Sequence, residues 1–218
     1  MDIKIPYTPR KHQAYLHNQI SRSRWSVLVC HRRFGKTVCM INHLIRSALT
    51  SKNKNPRYAY ISPTFKQSKA IAWDYMKQFT AKIPFTKFNE TELRVDLPNG
   101  SRITLLGSEN SDSLRGIYLD GCVIDEYANV NDKLFPEIIR PALSDRKGYC
   151  VFIGTPQGMQ NNFYELYQHA QGADDWFHYK AKASDTKIVD QEELDKAKEV
   201  MGEKKYLQEF ECDWIANI

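Results

Sequence analysis

Val27-Leu28-Val29-Cys30-His31-Arg32-Arg33-Phe34-Gly35-Lys36-Thr37 is the stretch that decides the fold of this 218-residue chain. Its apolar first part predicts a buried strand. The residues after Thr37 place apolar side chains at helical spacing as far as Leu49, which predicts an amphipathic helix. A short turn that ends in Gly-Lys-Thr joins the two elements. This order of strand, turn and helix is typical of a loop that binds phosphate groups.

The chemistry of this turn is specific for phosphate. Backbone N–H groups in the turn and at the helix start converge on one spot and favour an anion there. Gly35 allows the backbone to approach a phosphate closely, Lys36 would reach the β- and γ-phosphates, and the Thr37 hydroxyl would ligate Mg²⁺. The usual pattern opens with glycine, whereas this chain has Cys30 there. On this stretch alone, an ordinary basic strand-to-helix turn is the alternative interpretation.

The composition is that of a globular protein without metal or disulfide frameworks. Lys and Arg number 31 and Asp and Glu 26, so the net charge of +5 permits contact with nucleic acid without requiring it. The five cysteines form no C-x-x-C pair and the histidines no H-E-x-x-H motif, which argues against a zinc site and for a reducing cytosol. No apolar run approaches the roughly 20 residues of a membrane span, and no signal-peptide core is present. We therefore expect no membrane partner.

Hydrophobic periodicity predicts an α/β fold. Short apolar runs at 58–61, 121–124, 149–153 and 176–181 predict strands, and amphipathic segments between them predict helices. Residues 91–106 alternate with a period of two around Pro98-Asn99-Gly100, which predicts an antiparallel hairpin added to a mainly parallel sheet. The polar stretch 107–113 is expected to be a flexible loop. The tail predicts two helices that Gly202 separates, with Asp190 and Glu193 as N-cap and N3 partner of the first.

Two adjacent carboxylates, Asp125 and Glu126, end the predicted strand 121–124. In open α/β sheets, ligands bind at the carboxyl ends of the strands. Asp125 would hold Mg²⁺, and Glu126 would orient and deprotonate an attacking water. A solvated strand end is the alternative for the pair alone. Together with the loop that ends in Lys36 and Thr37, the pair would complete one metal site, which favours a nucleotide-hydrolysing site.

Three further residues are candidates for nucleotide contacts. The amide of Gln13 offers a donor and an acceptor side by side and can bind adenine, although a solvated polar helix is the alternative. Arg10 belongs to a cationic cluster in the same segment and joins the candidate nucleotide-binding set. Thr155 follows the strand 149–153, where its hydroxyl could touch the γ-phosphate and report its loss. A simple turn is the alternative for Thr155.

At this point the chain resembles the large subunit of tailed-phage terminases, the motors that package viral DNA into a capsid. The Arg-rich loop without its first glycine looks like the terminase variant of the phosphate loop. Residues 206–214 also look like the segment that closes the family's ATPase domain, so the resemblance spans nearly the whole chain. Four stretches carry it: Cys30 to Thr37, Ser113-Leu114-Arg115-Gly116, Val123-Ile124-Asp125-Glu126 and Ile153-Gly154-Thr155-Pro156.

The resemblance implies a P-loop NTPase fold of the ASCE/RecA-like class, with residues 1–218 as a single ATPase domain and the family's nuclease domain outside this chain. It implies ATP and Mg²⁺ as cofactors. By resemblance, Arg33 is a catalytic loop arginine that contacts phosphate, but the sequence does not decide between Arg32 and Arg33. Arg115 corresponds to an arginine finger that is given to the neighbouring subunit, and Thr155 to a coupling motif. The ATP-binding loop would comprise Cys30, His31, Arg32, Arg33, Phe34, Gly35, Lys36 and Thr37.

The resemblance also implies partners. These are double-stranded DNA, the portal protein, the small terminase subunit and further copies of the chain in a five-membered ring on the capsid, whereas the isolated domain could be a monomer. The expected location is the cytoplasm of an infected bacterium. The expected function is ATP hydrolysis that drives viral DNA into the procapsid.

Two rival functions share parts of this pattern. A helicase-like DNA translocase has the same phosphate loop and acid pair, but it needs a second RecA-like domain for which 218 residues leave no room. A nucleotide-dependent scaffold would bind ATP without hydrolysis, and Glu126 argues against it because a binding module needs no base. A nuclease is excluded for this chain, since no acid cluster is left for one.

Overall fold

The computed structural model describes residues 2–215. Its centre is an eight-stranded sheet with the order β3-β4-β5-β2-β6-β7-β1-β8. The strands from β5 to β8 in this order pair in parallel, and β3 and β4 add an antiparallel edge. The strands are β1 (Trp25–Cys30), β2 (Arg57–Ser62), β3 (Lys87–Asn89), β4 (Arg94–Asp96), β5 (Arg102–Gly107), β6 (Gly121–Ile124), β7 (Tyr149–Gly154) and β8 (Trp176–Ala181).

Helices cover both faces of this sheet, as a mainly parallel sheet requires. Within residues 2–215, no helix is both long and apolar enough to cross a membrane. The helices are α1 (Lys11–Ser21), α2 (Lys36–Thr50), α3 (Phe65–Ser68), α4 (Asp74–Thr80), α5 (Arg140–Ala142), α6 (Asn162–Gln171), α7 (Ala183–Thr186), α8 (Gln191–Met201) and α9 (Glu203–Phe210). Single π-helical turns join α3 to α4 (Lys69–Trp73) and lead into α5 (Leu134–Ile139), and short 3₁₀ segments span Ser108–Leu114 and Tyr127–Asn129.

The alternation of side chains along β1 divides the core into two layers. Leu28 and Cys30 point to one face and pack with α1, α2 and α4. Val27 and Val29 point to the other face and pack with residues 127–143 and α6. All six residues of β1 are buried, so this strand forms the centre of the core and fixes the position of the loop that follows it.

The fold class and the hairpin are confirmed, since β4 and β5 pair antiparallel with Asp96 opposite Arg102. Two local predictions are corrected, and the structure adds strand β3, whose three residues are too few to show a period. Residues 108–114 form 3₁₀ turns rather than a flexible loop. Asp190 is the N-cap of α8, but its side chain makes no capping hydrogen bond.

Candidate nucleotide-binding site

The loop between β1 and α2 is shaped by two residues with positive φ. Arg33 has a φ of 66° and Gly35 a φ of 89°. The left-handed conformation is costly for most residues but not for glycine. A Cβ on Gly35 would lie 3.1 Å from Nε2 of Gln13 and 3.4 Å from a guanidinium nitrogen of Arg10. The loop therefore needs glycine at this position for both conformation and space.

The first turn of α2 is suited to an anion. The N–H groups of Lys36, Thr37 and Val38 have no protein acceptor within residues 2–215. The first turn carries no acidic side chain, and Gly35 at the N-cap provides no side-chain cap. Free N–H groups and the helix dipole at the start of a 15-residue helix both attract negative charge. A phosphate group therefore fits this site.

The acid pair faces the loop lysine. Nζ of Lys36 lies 3.3 Å from Oε1 of Glu126 and 3.8 Å from Oδ1 of Asp125. Successive strand residues normally point to opposite faces. Glu126 adopts a left-handed conformation with a φ of 50°, which turns its side chain toward the side on which Asp125 lies. The non-glycine residue in this strained conformation brings two carboxylates to one lysine, and such strain is typical of functional sites.

Asp125 is held rigidly. Its side chain is buried, and it accepts hydrogen bonds from the hydroxyl of Tyr60 and from the N–H of Glu126 at 2.8 Å. Burial and the Asp125 carboxylate raise the pKa of Tyr60 well above its usual value, so Tyr60 stays a donor. Burial by itself would lower the pKa of Lys36, but the carboxylates of Asp125 and Glu126 outweigh it and raise that pKa. Lys36 is therefore a cation.

Thr37 and Asp125 offer the hard oxygen ligands that Mg²⁺ prefers. Thr37 is the second residue of α2, and Asp125 follows directly after β6. Magnesium in nucleotide sites usually binds one or two protein oxygens, with phosphates and waters as its other ligands. A hydroxyl and one carboxylate fit this pattern. Nowhere in residues 2–215 do three or more His, Cys, Asp or Glu side chains form a metal-binding group of their own.

The other loop residues fall into two groups. The side chains of Cys30, His31 and Phe34 are buried, so these residues could offer a phosphate only backbone atoms. The ring nitrogens of His31 are engaged by Thr186 Oγ1 at 2.7 Å and the carbonyl of Arg32 at 2.8 Å, and burial lowers its pKa. Both loop arginines are exposed. Arg33, unlike Arg32, lines the cavity of about 300 Å³ beside the loop, which favours Arg33 as the one that contacts phosphate.

Sequence reasoning missed three residues of the site. Tyr60 belongs to buried strand β2. The one feature of the sequence that could have indicated its role is a hydroxyl in a predicted core strand, which needs a hydrogen-bond partner. Ile71 and Tyr75 line the same cavity as Arg33 and remain 38% and 40% exposed. An amphipathic pattern predicts a helix in this segment, but it gives no sign of which apolar residues face the cavity rather than the core.

Gln13 and Arg10 lie against the loop. Gln13 is buried; its Nε2 donates to the carbonyl of Gly35 at 3.1 Å, and its Oε1 accepts from the N–H of Arg10 at 2.9 Å. Arg10 also donates to the carbonyl of Phe34 at 3.4 Å. Since both ends of the Gln13 amide are engaged, the expected two-point contact with adenine would require these bonds to break. In this structure Gln13 supports the loop.

Thr155 lies near the loop, and Arg115 contacts other residues. Oγ1 of Thr155 donates to the carbonyl of Cys30 at 3.4 Å, which links the end of β7 to the end of β1. The Arg115 side chain is 53% exposed and pairs with Asp112 at 3.1 Å and Glu137 at 3.6 Å. Neither of these partners belongs to the loop. Within one chain, Arg115 is therefore not brought together with Lys36, Asp125 and Glu126.

Comparison with known proteins gives consistent results. The profile of the family described as "Terminase large subunit, T4likevirus-type, N-terminal" matches residues 29–217. The terminase large subunit of Escherichia phage T5 is 26% identical over 217 residues, which cover 95% of this chain and 48% of that protein. The chain thus spans about half the length of this curated relative.

Solved structures show the same fold. The large terminase ATPase domain of Thermus phage P74-26 superposes with a TM-score of 0.81 at 21% identity, with 97% of this chain and 96% of that chain covered. The large terminase of a thermophilic bacteriophage, solved in complex with ADP, gives a TM-score of 0.81 at 16% identity, with coverage of 94% and 53%. These likenesses establish the α/β fold of terminase ATPase domains. Since the family profile matches most of its length, the chain belongs to the terminase large subunit family and corresponds to its N-terminal part.

Proposed function

We propose that this chain is the ATP-hydrolysing domain of a terminase large subunit, and that hydrolysis drives double-stranded viral DNA into a procapsid. The observation that carries the proposal is the approach of Lys36 to Asp125 and Glu126 beside the unpaired N–H groups of α2. The large terminase of the thermophilic bacteriophage, which shares the fold, has been solved with ADP and with ATP-γ-S. These complexes support a nucleotide as the ligand of this chain too.

The loop would bind the phosphates. The N–H groups at the start of α2 would cradle them, and Lys36 would neutralise charge on the transferring phosphoryl group. Lys36 is already held between two carboxylates, so its ammonium group is positioned before ATP arrives. Arg33 would add a second cation from the exposed side of the loop. Gln13 and Arg10 would keep the loop in its binding conformation.

Thr37 and Asp125 would hold Mg²⁺, which when bound neutralises charge on the β- and γ-phosphates. The hydrogen bonds from Tyr60 and from the N–H of Glu126 orient the Asp125 carboxylate toward the loop. Glu126 would take the proton of the attacking water. Its side chain is 30% exposed, so water reaches it, whereas the Asp125 side chain is 2% exposed. The different burial of the two acids suits their different roles.

Arg115 would act on the site of a neighbouring subunit. Among residues 2–215, its exposed guanidinium pairs with the surface carboxylates of Asp112 and Glu137, and neither belongs to the loop. Such a finger accelerates phosphoryl transfer by roughly 10³–10⁵. The proposal therefore includes a ring of five subunits on the portal, with the small terminase subunit as a further partner, in the cytoplasm of an infected bacterium. Thr155 would report loss of the γ-phosphate from the end of β7.

The first experiment measures phosphate release from ATP in the presence of Mg²⁺. We expect Lys36→Ala to abolish turnover, since it removes the cation that contacts the phosphates. Lys87→Ala, an exposed lysine on β3 at the far end of the sheet from β1, is the control and should match the unaltered chain. Equal turnover in both variants would refute the assignment of the site. ATP binding without turnover by the unaltered chain would instead support the scaffold interpretation.

The second experiment tests whether the site is shared. We expect the rate of phosphate release per subunit to rise with protein concentration and Arg115→Ala to remove this rise. A specific activity that is independent of concentration and of Arg115 would show that any essential arginine acts within one chain. Arg33 would then be the first candidate.

A further inference from the structure

We infer that the edge of the sheet opposite the nucleotide site binds the phosphate backbone of DNA. This edge, here named the strand-start edge, is formed by residues 21–24, 46–57, 118–121 and 140–148, which precede or flank the first residues of β1, β2, β6 and β7. The inference rests on the proposed role in DNA packaging, from which the identity of the partner is taken. It assigns that partner a surface.

Charge is concentrated on this edge. Its four segments contain two acids, Asp120 and Asp145, and nine cations, a net charge of +7. Two further acids, Asp174 and Asp175, precede the start of β8 beside β1 and bound the cationic region on that side. The whole chain carries +5, so the rest of the molecule has a net charge of −2. The nine cations are Arg22, Arg24, Arg46, Lys52, Lys54, Arg57, Arg140, Arg146 and Lys147.

Eight of these nine cations have no carboxylate partner in the described part of the chain. Of the nine, only Arg146 has a carboxylate within 4.0 Å in residues 2–215, and that partner is Asp120 at 3.2 Å. The lysines of α8 and α9 contrast with them: Lys196 pairs with Glu192 at 3.2 Å and Lys205 with Glu209 at 3.0 Å. Like charges left without counter-charges on one surface indicate an anionic partner.

Contacts within the fold hold the cations together. The guanidinium groups of Arg24 and Arg140 lie 4.6 and 5.0 Å from the centre of the same Trp25 ring. Arg24 is fixed further by the carbonyls of Gly148 at 3.0 Å and Leu143 at 3.3 Å. The fold thus keeps like charges close at a cost in repulsion. A bound polyanion would relieve that repulsion.

Polar donors accompany the charges. A hollow of about 370 Å³ opens on this edge, lined by Arg46 and by hydroxyl groups of Ser21, Ser23 and Ser51. Guanidinium, ammonium and hydroxyl groups are the side chains that contact DNA phosphates. Asp120, which also lines the hollow, is occupied by Asn53 Nδ2 at 2.6 Å, the Arg57 N–H at 2.8 Å and Arg146. Its charge is therefore largely satisfied within the protein.

The dimensions suit a duplex. Strands β2, β6, β7 and β1 are neighbours, so at about 4.8 Å per strand the edge extends about 14 Å. Duplex DNA carries about eight phosphates over that length on both strands, of which one face presents about half. The strand-start edge lies one strand length, about 20 Å, from the phosphate loop. DNA bound there would leave the nucleotide site open.

The test measures binding of a 30-base-pair duplex of arbitrary sequence by fluorescence anisotropy at several salt concentrations. The edge variant combines Arg22→Gln, Lys52→Gln and Lys54→Gln, three exposed side chains without carboxylate partners in the described chain. The control combines Lys196→Gln, Lys198→Gln and Lys205→Gln, which changes net charge equally. We expect the edge variant to lose at least about tenfold in affinity and about 2.7 in salt slope, and the control to lose much less.

Two results would overturn the inference. Equal affinities of the two variants would show that only net charge matters. If the edge variant kept its affinity for DNA but no longer bound a labelled polyglutamate, the partner of this edge would be an acidic protein. ATP hydrolysis without DNA is measured on the same preparations and should be unchanged. If the unaltered chain does not hydrolyse ATP, the proposed function fails. The DNA-binding measurement still decides whether the strand-start edge binds DNA.

Discussion

Tyr60→Phe removes one oxygen atom from the fully buried centre of β2 and tests whether Asp125 is positioned for a metal. The Tyr60 hydroxyl donates to Oδ2 of Asp125, and both residues are excluded from solvent. A hydrogen bond to a charged group contributes about 1.5–3 kcal/mol to stability. For a chain of this length, that loss corresponds to a fall in melting temperature of about 3–12 °C. A residue that orients a metal ligand also changes metal affinity by about 10–100-fold when it is mutated.

The assay for Tyr60→Phe combines thermal unfolding with a Mg²⁺ titration of ATP hydrolysis. Tyr58→Phe is the matched control, because Tyr58 lies two residues earlier on the same face of β2 and donates to the neutral carbonyl of Ser47 at 3.3 Å. We expect Tyr58→Phe to lower the free energy of unfolding by about 0.5–1.5 kcal/mol, because its hydrogen bond is neutral, and to leave the Mg²⁺ requirement unchanged. If the two variants showed the same Mg²⁺ dependence, the Tyr60 hydroxyl would not orient Asp125 for a metal.

Three further predictions concern the loop and the pH dependence of stability. Burial lowers the pKa of His17 to about 4 and that of His43 to about 3. Each imidazole therefore binds a proton more tightly in the unfolded chain than in the folded chain. Urea unfolding should therefore show full stability above pH 6.5 and a loss of about 1.4 kcal/mol per pH unit for each histidine below it, whereas a flat profile would contradict their burial. Gly35→Ala should weaken binding of a fluorescent ATP analogue at least about tenfold, because φ is 89° and Gln13 is close. The control Gly202→Ala, where φ is 83° and a Cβ meets open space, should leave binding unchanged. Equal affinity of the two variants for the analogue would argue against a tight loop at Gly35. Phe34→Ala should cost about 3–5 kcal/mol of stability, since this loop side chain is 1% exposed, and chemical denaturation with a change below about 1 kcal/mol would contradict its anchoring role.

The parts of the fold that could be predicted from sequence are those fixed by local chemistry. The sequence from Val27 to Leu49 combines a buried strand, a turn with glycine and an amphipathic helix, and β1 and α2 follow it closely. The two tail helices also follow the sequence, because Gly202 ends one periodic segment before the next begins. In both cases the signal lies within a few neighbouring residues.

The parts that could not be predicted depend on contacts between distant residues. The bond from Gln13 to Gly35 spans 22 residues, and its geometry decides that Gln13 supports the loop. Glu126 could face Lys36 only if its backbone left the strand conformation, and nothing in its residue type requires that. The strand-start edge is assembled from four separate segments whose loops carry few cations each. Its charge becomes visible only when the strand order is known.

We propose that Glu126 is the base of an ATP-hydrolysing site, and Glu126→Gln tests this role without a change of size. This variant keeps the shape of the side chain and removes its ability to accept a proton. Binding of a fluorescent ATP analogue and phosphate release are measured on one preparation, with Glu199→Gln on the exposed face of α8 as the control. We expect retained binding and a loss of turnover of at least about 10²-fold in Glu126→Gln alone. Undiminished turnover in Glu126→Gln, with binding intact, would contradict the proposed role.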